Sequence, residues 1–324
     1  DRPVIRLLSK LLCLINRCIQ SEKQDMKHKI IISLTLGVLF LFTFSCMSKT
    51  DKSTVEEGAW EGCVIGFYPE NGNETLPGGD QKEIDDFENT INREVGSVVL
   101  FPTWDDEFPT KACRGLHARG IIPHLTWELF WPSQDPNNTS QTGPNGFDGF
   151  NDVLNGKYDD YIDRFAKDAK AFNQMVLIRF LHEFNGNWYV WSGNKNGQAD
   201  GGPEKVVAVW KYVVDRFNKV GADNVKWLWV PHGPSTDLST EAWNDVSNYW
   251  PGDEYVDWIG LDGYNFYPKD PWGGARPLRD FDTCVRDLYD DCAVLGVQPW
   301  VIAGFGSGEC HLEGLDNAAW ITDA

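Results

Sequence analysis

Seven short apolar runs, separated by longer amphipathic stretches, constrain the fold of this chain more than any other feature. The runs are almost continuously apolar, which is typical of parallel strands that are buried on both faces. Stretches between them, such as 158–172 and 204–219, repeat apolar residues with helical periodicity. Glycines stand shortly before several runs, where a helix has to end. The runs cover residues 63–68, 97–101, 121–127, 175–181, 225–230, 256–261 and 300–305.

This alternation of strands and helices predicts an α/β domain over residues 59–324, with the architecture of a (β/α)8 TIM barrel. A doubly wound sheet is disfavoured because no GxGxxG segment follows the first run. After the seventh run only "AAWITDA", residues 318–324, could begin another element. We therefore expect strand eight and the last helix to be missing, and an open barrel with exposed strand edges is prone to aggregation.

The amino-terminal part has the order of a secretory signal peptide over residues 26–46. A short basic stretch precedes an apolar run, and that run is shorter than the roughly 20 residues that span a bilayer. The segment ends in "FTFSC", similar to a bacterial lipoprotein box, which predicts lipidation of Cys46; a cleaved signal with an incidental cysteine is the alternative. Residues 1–25 are expected to be non-native upstream sequence, and residues 47–58 a linker. The expected location is outside a bacterial cell, secreted or as a cell-surface or outer-membrane lipoprotein.

The charge balance limits the possible partners. With 48 acidic and 29 basic residues the formal net charge is -19, so nucleic acid is excluded as a partner, and a membrane is expected only through the lipid anchor. A monomer without cofactor or metal is predicted. A calcium-binding module, based on "TWDDEF" and on Asp290 with Asp291, is the weaker hypothesis because neither stretch alternates ligands around a glycine.

Fifteen tryptophans indicate a surface that stacks on flat partners, of which sugars are the common case, although about half are expected in the core. In a barrel the chemistry lies where strands end, and polar and aromatic residues crowd the expected ends of strands three to six. Glu183 follows an apolar run beside Phe184 and Trp188. Desolvation there is expected to raise the pKa of Glu183, as suits a proton donor to a leaving oxygen, with His182 orienting it.

Three segments give a specific resemblance. "RFLHEFNGNWYVW" at 179–191, "YWPGDEYVDWIGLDGYN" at 249–265 and "PWVIAGFGS" at 299–307 resemble, in the same order, the signature segments of glycoside hydrolase family 26. The resemblance implies a (β/α)8 barrel and a retaining endo-glycanase. The implied substrate is a β-linked polysaccharide or oligosaccharide, such as β-1,4-mannan, β-1,3-1,4-glucan or β-1,3-xylan.

The resemblance also implies roles for individual residues. Glu183 matches the acid/base, and His182 and Trp188 match its neighbours in the substrate-binding surface. Tyr264 matches the tyrosine that hydrogen-bonds the nucleophile. We expect four further residues at the strand ends to contact substrate, namely Trp127, Glu128, Asn187 and Trp191.

One position departs from the family pattern. The pattern "IAEFGS" has its nucleophilic glutamate where this chain has Gly304. Retention needs two carboxyls about 5 to 5.5 Å apart, so the chain is expected to be inactive as it stands. Glu309 could at best act as a base for water, with inversion. The alternative function is a non-catalytic, glycan-binding pseudoenzyme, in which the tryptophans still stack on sugars: Trp127, Trp131, Trp188, Trp191 and Trp272.

Overall fold

A computed structural model describes residues 64–69, 82–129, 149–235, 238–267 and 277–307. These residues all belong to one unit, Lys52–Ala324. Several predictions concern positions outside the described residues: the upstream segment, signal peptide and linker, Cys46, Trp131, Trp272 and Glu309.

Seven parallel strands form one sheet in chain order, each paired with the next. The apolar runs therefore predicted every one of these strands, and the parallel order is that of a (β/α)8 barrel. The strands are β1 (Gly66–Phe67), β2 (Ser97–Leu100), β3 (Ile122–Trp127), β4 (Val176–Phe180), β5 (Val225–Trp229), β6 (Trp258–Asn265) and β7 (Trp300–Ser307).

An α-helix lies between each pair of consecutive strands except β5 and β6, where the described residues form three short 3-10 helices, Ala242–Asn244, Val246–Tyr249 and Asp253–Tyr255. The longest, α5, begins with Pro203 in its first turn and ends at Gly221, whose φ of 77° lies in the left-handed region that glycine adopts without strain. The helices are α1 (Lys82–Ile91), α2 (Thr110–His117), α3 (Gly149–Leu154), α4 (Asp159–Phe172), α5 (Gly202–Val220) and α6 (Phe281–Cys292). None of the helices in the described ranges is long and apolar enough to cross a membrane.

An aromatic core joins the sheet to its helices. Trp127 on β3 is fully buried and stacks on Phe165 of α4, with ring centroids 4.2 Å apart. Its indole Nε1 donates to the hydroxyl of Tyr161, 3.3 Å away. The expectation that Trp127 contacts substrate is therefore corrected: the ring lies behind the sheet, where it offers no surface to a sugar.

Strand β6 continues four residues beyond the sequence-based limit of 261. Its last residues are polar, but they pair in register with β7: Asp262 lies opposite Gly304, and Tyr264 opposite Gly306. A shift in register between Leu261 and Asp262 marks where the polar part begins. These residues, expected at the polar end of strand six, are consequently held on the sheet, which fixes Asp262 and Tyr264 beside β7.

Candidate active site

Glu183 lies in a turn just after β4, with a backbone that few side chains adopt. Its φ is 53°, and that of Leu181 is 48°, both in the left-handed region, which is unfavourable for residues other than glycine. The Glu183 N–H donates to the carbonyl of Val230, 2.7 Å away, at the end of β5. Such strain persists only where the surroundings enforce it, and it occurs most often at functional sites.

The carboxyl of Glu183 is buried, with 8% of the residue exposed, and is held from two sides. Trp188 Nε1 donates to Oε2 at 2.7 Å, and His232 Nε2 lies 3.9 Å from Oε1. Burial raises the pKa of Glu183, while the hydrogen bond from Trp188 and the charge of Arg179 lower it. The net direction is upward, which suits a group that must hold a proton at neutral pH.

His182 does not orient Glu183 as expected from the sequence. Its Nε2 lies 3.0 Å from the hydroxyl of Tyr189, and Trp191 Nε1 donates to its carbonyl at 2.8 Å. Burial holds the pKa of His182 well below its usual range, so the ring is neutral. The side chain that holds the Glu183 carboxyl is Trp188, whose indole N–H donates to Oε2.

The predicted aromatic contacts differ in exposure. Trp188 is half-buried, and Asn187 beside it is exposed, so both can meet a ligand. Trp191 is 1% exposed and stacks on Tyr189 at 4.3 Å. The expectation that Trp191 contacts substrate is corrected because its side chain is buried among protein groups.

A second carboxyl, which the sequence analysis did not single out, lies next to Glu183. Asp262 is 1% exposed and accepts from Arg179 Nη1 through both oxygens, at 3.1 and 3.0 Å. Its side chain also hydrogen-bonds that of Glu183, and this contact raises the pKa of Asp262 and lowers that of Glu183. Burial raises the pKa of Asp262 to about 7, against the opposing charge of Arg179. The only sequence signal was its place at the end of an apolar run.

Glu128 adds a third carboxyl from the end of β3. It is buried and forms an isolated parallel bridge with Thr103. Burial raises its pKa to about 7, with Arg179 lowering and Glu183 raising it. Three buried carboxyls therefore interact electrostatically with one buried arginine, and burial is the main reason that the pKa values of Asp262 and Glu128 are raised to about 7.

Gly304 lies beside this cluster. A Cβ added at Gly304 would stand 2.3 Å from the hydroxyl oxygen of Tyr264 and 2.9 Å from Asp262 Oδ1. The Tyr264 hydroxyl thus occupies the place where a side chain at position 304 would begin. The described residues contain no cluster of three or more His, Cys, Asp or Glu side chains that could hold a metal ion.

Replacing Trp188 with Phe is expected to raise the pKa of Glu183 further. The change removes the N–H donor to Oε2 and keeps an aromatic ring, so the ionised carboxylate loses its main stabilising contact. Carbon-13 NMR titration of the Glu183 carboxyl measures the shift. Trp243→Phe is the matched control because Trp243 Nε1 donates to Glu241, at 2.8 Å, on the exposed surface. An unchanged Glu183 titration in Trp188→Phe would contradict the assignment of Trp188 as its partner.

Comparison with known proteins finds similarity to one family of enzymes. The family model "Glycosyl hydrolase family 26" matches residues 134–273. Endoglucanase H of Acetivibrio thermocellus is 29% identical over 303 residues, which are 92% of this chain and 29% of that protein. These matches support the assignment of the chain to glycosyl hydrolase family 26.

Other relatives of this chain carry different substrate names. Beta-1,3-xylanase TXYA of Vibrio sp is 26% identical over 63% of this chain and 40% of its own length. A mannan endo-1,4-beta-mannosidase of Bacillus subtilis (strain 168) is 26% identical over 35% of this chain and 34% of its own length. The chain thus spans less than half the length of these curated relatives.

Solved structures support the barrel fold. Bacillus subtilis mannanase man26 superposes with a TM-score of 0.54 at 17% identity, over 80% of this chain and 74% of that one. A β-mannanase from a symbiotic protist of the termite Reticulitermes speratus, complexed with gluco-manno-oligosaccharide, gives a TM-score of 0.52 at 19% identity, over 80% and 86%. At such identities the likeness concerns the fold alone.

Proposed function

We propose that this chain is an endo-acting β-glycan hydrolase, with Glu183 as the acid/base, whose turnover is prevented by Gly304. The observation that carries the proposal is the buried Glu183 carboxyl, held by Trp188 and hydrogen-bonded to Asp262. A carboxyl kept protonated at neutral pH can donate to a glycosidic oxygen as the bond to the sugar breaks. The names of the relatives, an endoglucanase, a beta-1,3-xylanase and mannan endo-1,4-beta-mannosidases, support a β-glycan as the substrate class, and β-mannan or β-1,3-1,4-glucan is the proposed substrate.

Gly304 leaves the reaction without its first covalent step. In retention, a second carboxylate attacks the anomeric carbon while the acid protonates the leaving oxygen. Asp262 does not replace it, because its carboxyl is hydrogen-bonded to Glu183 and to Arg179, whereas retention uses carboxyls about 5 to 5.5 Å apart. The proposed acid is therefore present at Glu183, and a nucleophile at position 304 is not.

A glycan-binding pseudoenzyme is the second proposal. Trp188 is half-buried at the rim of the site. Tyr264 on β6 and Phe266 just after β6 form a second aromatic surface, with stacked rings whose centroids are 5.3 Å apart. Aromatic surfaces of this kind can bind sugars without any chemistry. Loss of the nucleophile leaves these rings in place, so binding is expected to outlast catalysis.

Affinity electrophoresis in gels that contain β-mannan or β-1,3-1,4-glucan tests both proposals. We expect at least one β-glycan to retard the chain, since the rim presents aromatic and polar groups, and we expect α-linked dextran to have no effect. Trp188→Ala should weaken retardation by about tenfold, equivalent to roughly 1.4 kcal/mol. Tyr289→Ala is the control, because Tyr289 is exposed on α6, on the outer side of the sheet.

The variant Glu183→Ala separates the two functions. Retardation unaffected by this change favours the pseudoenzyme, whereas weakened binding indicates that Glu183 contacts the sugar. Normal migration in every β-glycan gel would contradict both.

A further inference from the structure

We propose that His232 is the proton partner of Glu183, with the imidazole Nε2 and the carboxyl Oε1 holding one exchangeable proton between them. His232 follows β5 by three residues. The pairing is a property of the folded chain and does not depend on turnover; only its use in hydrolysis rests on the proposed function.

The orientation of the imidazole is fixed by its other nitrogen. His232 Nδ1 lies 2.7 Å from the carbonyl oxygen of Gly233. A carbonyl can only accept, so Nδ1 carries the hydrogen and the neutral ring has its lone pair on Nε2. That lone pair is on the nitrogen 3.9 Å from Glu183 Oε1. A small approach of the two side chains makes a hydrogen bond in which a protonated carboxyl donates to Nε2.

The backbone of His232 is held by a side chain from the Glu183 turn. Asn185 Oδ1 accepts from the His232 N–H at 2.9 Å, and Asn185 Nδ2 donates to the His232 carbonyl at 3.0 Å. Asn185 is buried and follows Glu183 by two residues. Its side-chain amide makes the two hydrogen bonds that the backbone of a paired strand would make, beyond the point where the pairing of β4 with β5 ends. These two hydrogen bonds fix the position of the His232 backbone relative to the turn that carries Glu183.

Strand β6 also holds the backbone of His232, through Asp262. His232 bridges Asp262 in parallel, and the N–H of Gly233 donates to the Asp262 carbonyl at 2.6 Å. The imidazole lies between Trp188, 5.0 Å away edge to face, and Tyr264, 6.0 Å away. With 8% of His232 exposed, little water competes for the proton.

Other titratable groups act on the pair, and two of them could compete for the proton. Asp262 faces both Glu183 and His232, and the His232 charge lowers the Asp262 pKa. Glu128 acts on Glu183 from β3. The further charged or titratable groups that couple to Glu183 or His232 are Arg179, His182, Tyr189 and Tyr264.

The transfer is balanced. In one form Glu183 is a neutral acid and His232 a neutral imidazole. In the other, the O–H bond of Glu183 has broken, the proton is bound to Nε2, and a carboxylate faces an imidazolium. Return of the proton to Oε1 reloads Glu183 before it protonates a glycosidic oxygen, so His232 acts as a positioning residue through Glu183.

Nitrogen-15 NMR of the histidine rings tests the pairing in the full chain without substrate. We expect the Nδ1–H tautomer of neutral His232, and we expect its titration midpoint to move to lower pH in Glu183→Gln, because the imidazolium loses its carboxylate. Glu128→Gln removes a similarly buried carboxyl on another strand and is expected to shift the midpoint less. An Nε2–H tautomer, or the same midpoint with and without the Glu183 carboxylate, would overturn the proposal.

A second measurement gives a result even if the Glu183→Gln variant does not fold. Carbon-13 titration of Glu183 in the unaltered chain should show two coupled steps, one of them coincident with His232, and His232→Gln should remove that step. Absence of the shared step in the unaltered chain would also overturn the proposal. Neither readout requires hydrolysis, so inactive Gly304→Glu protein would refute the proposed activity and leave this pairing intact.

Discussion

Replacing Gly304 with glutamate is expected to produce a chain that cleaves β-mannan or β-1,3-1,4-glucan internally and with retention, and the unaltered chain is expected to show almost no turnover. The new carboxyl would start opposite Asp262 on the neighbouring strand, beside the cluster that contains Glu183. We expect a rate increase of at least about 10³-fold, since one missing member of a catalytic pair removes most of the acceleration. Release of new reducing ends measures the rate, and proton NMR of the first product gives its anomeric configuration.

Tyr264 limits how well the new side chain fits. A Cβ at position 304 would lie 2.3 Å from the Tyr264 hydroxyl, so this ring has to turn away. Gly304→Gln has the same size and crowding but no carboxylate, which makes it the matched control, and it should stay inactive. Adding Glu183→Ala to Gly304→Glu should abolish the gain. A folded Gly304→Glu protein without activity on any β-glycan would contradict the proposed hydrolase.

Replacing Arg179 with methionine is expected to lower the free energy of unfolding by about 3–5 kcal/mol, because breaking a buried ion pair leaves an uncompensated charge. Arg179 is 4% exposed, donates to both oxygens of Asp262, and also donates to Thr126 Oγ1 at 2.9 Å. Urea or guanidinium denaturation measures the loss. The exposed pair Arg286–Asp282 on α6 provides the control, and Arg286→Met should change stability little.

The loss in Arg179→Met should depend on pH. The pKa of Asp262 is raised to about 7 in the folded chain, so the folded state binds more protons than the unfolded state between about pH 4 and 7. Stability therefore falls as pH rises through that window, and removal of the arginine strengthens the effect because the carboxylate loses its cation. We expect a larger loss at pH 8 than at pH 5. A loss of equal size at both values would mean that Arg179 acts through packing rather than through charge.

The strands were predictable because their signal is local. A buried parallel strand needs a short run of apolar residues, and each run in the sequence coincides with a strand to within a few residues. The exception is the polar end of β6, where Asp262 and Tyr264 pair with β7. The backbone of a partner strand supplies that pairing, and the sequence of β6 alone carries no trace of it.

Sequence alone determined the order of the strands, the position of Glu183 at the end of β4 and the absence of a carboxyl at Gly304. Only the tertiary structure decided which tryptophan faces the site. Trp127 ends one apolar run and Trp188 follows another, yet Trp127 is buried behind the sheet and Trp188 hydrogen-bonds Glu183. It also brought Arg179 to Asp262, which lie 83 residues apart, and His232 to Glu183. The physical reason is that strand patterns depend on neighbouring residues, whereas burial and the pairing of charges depend on which distant strands become adjacent in the barrel.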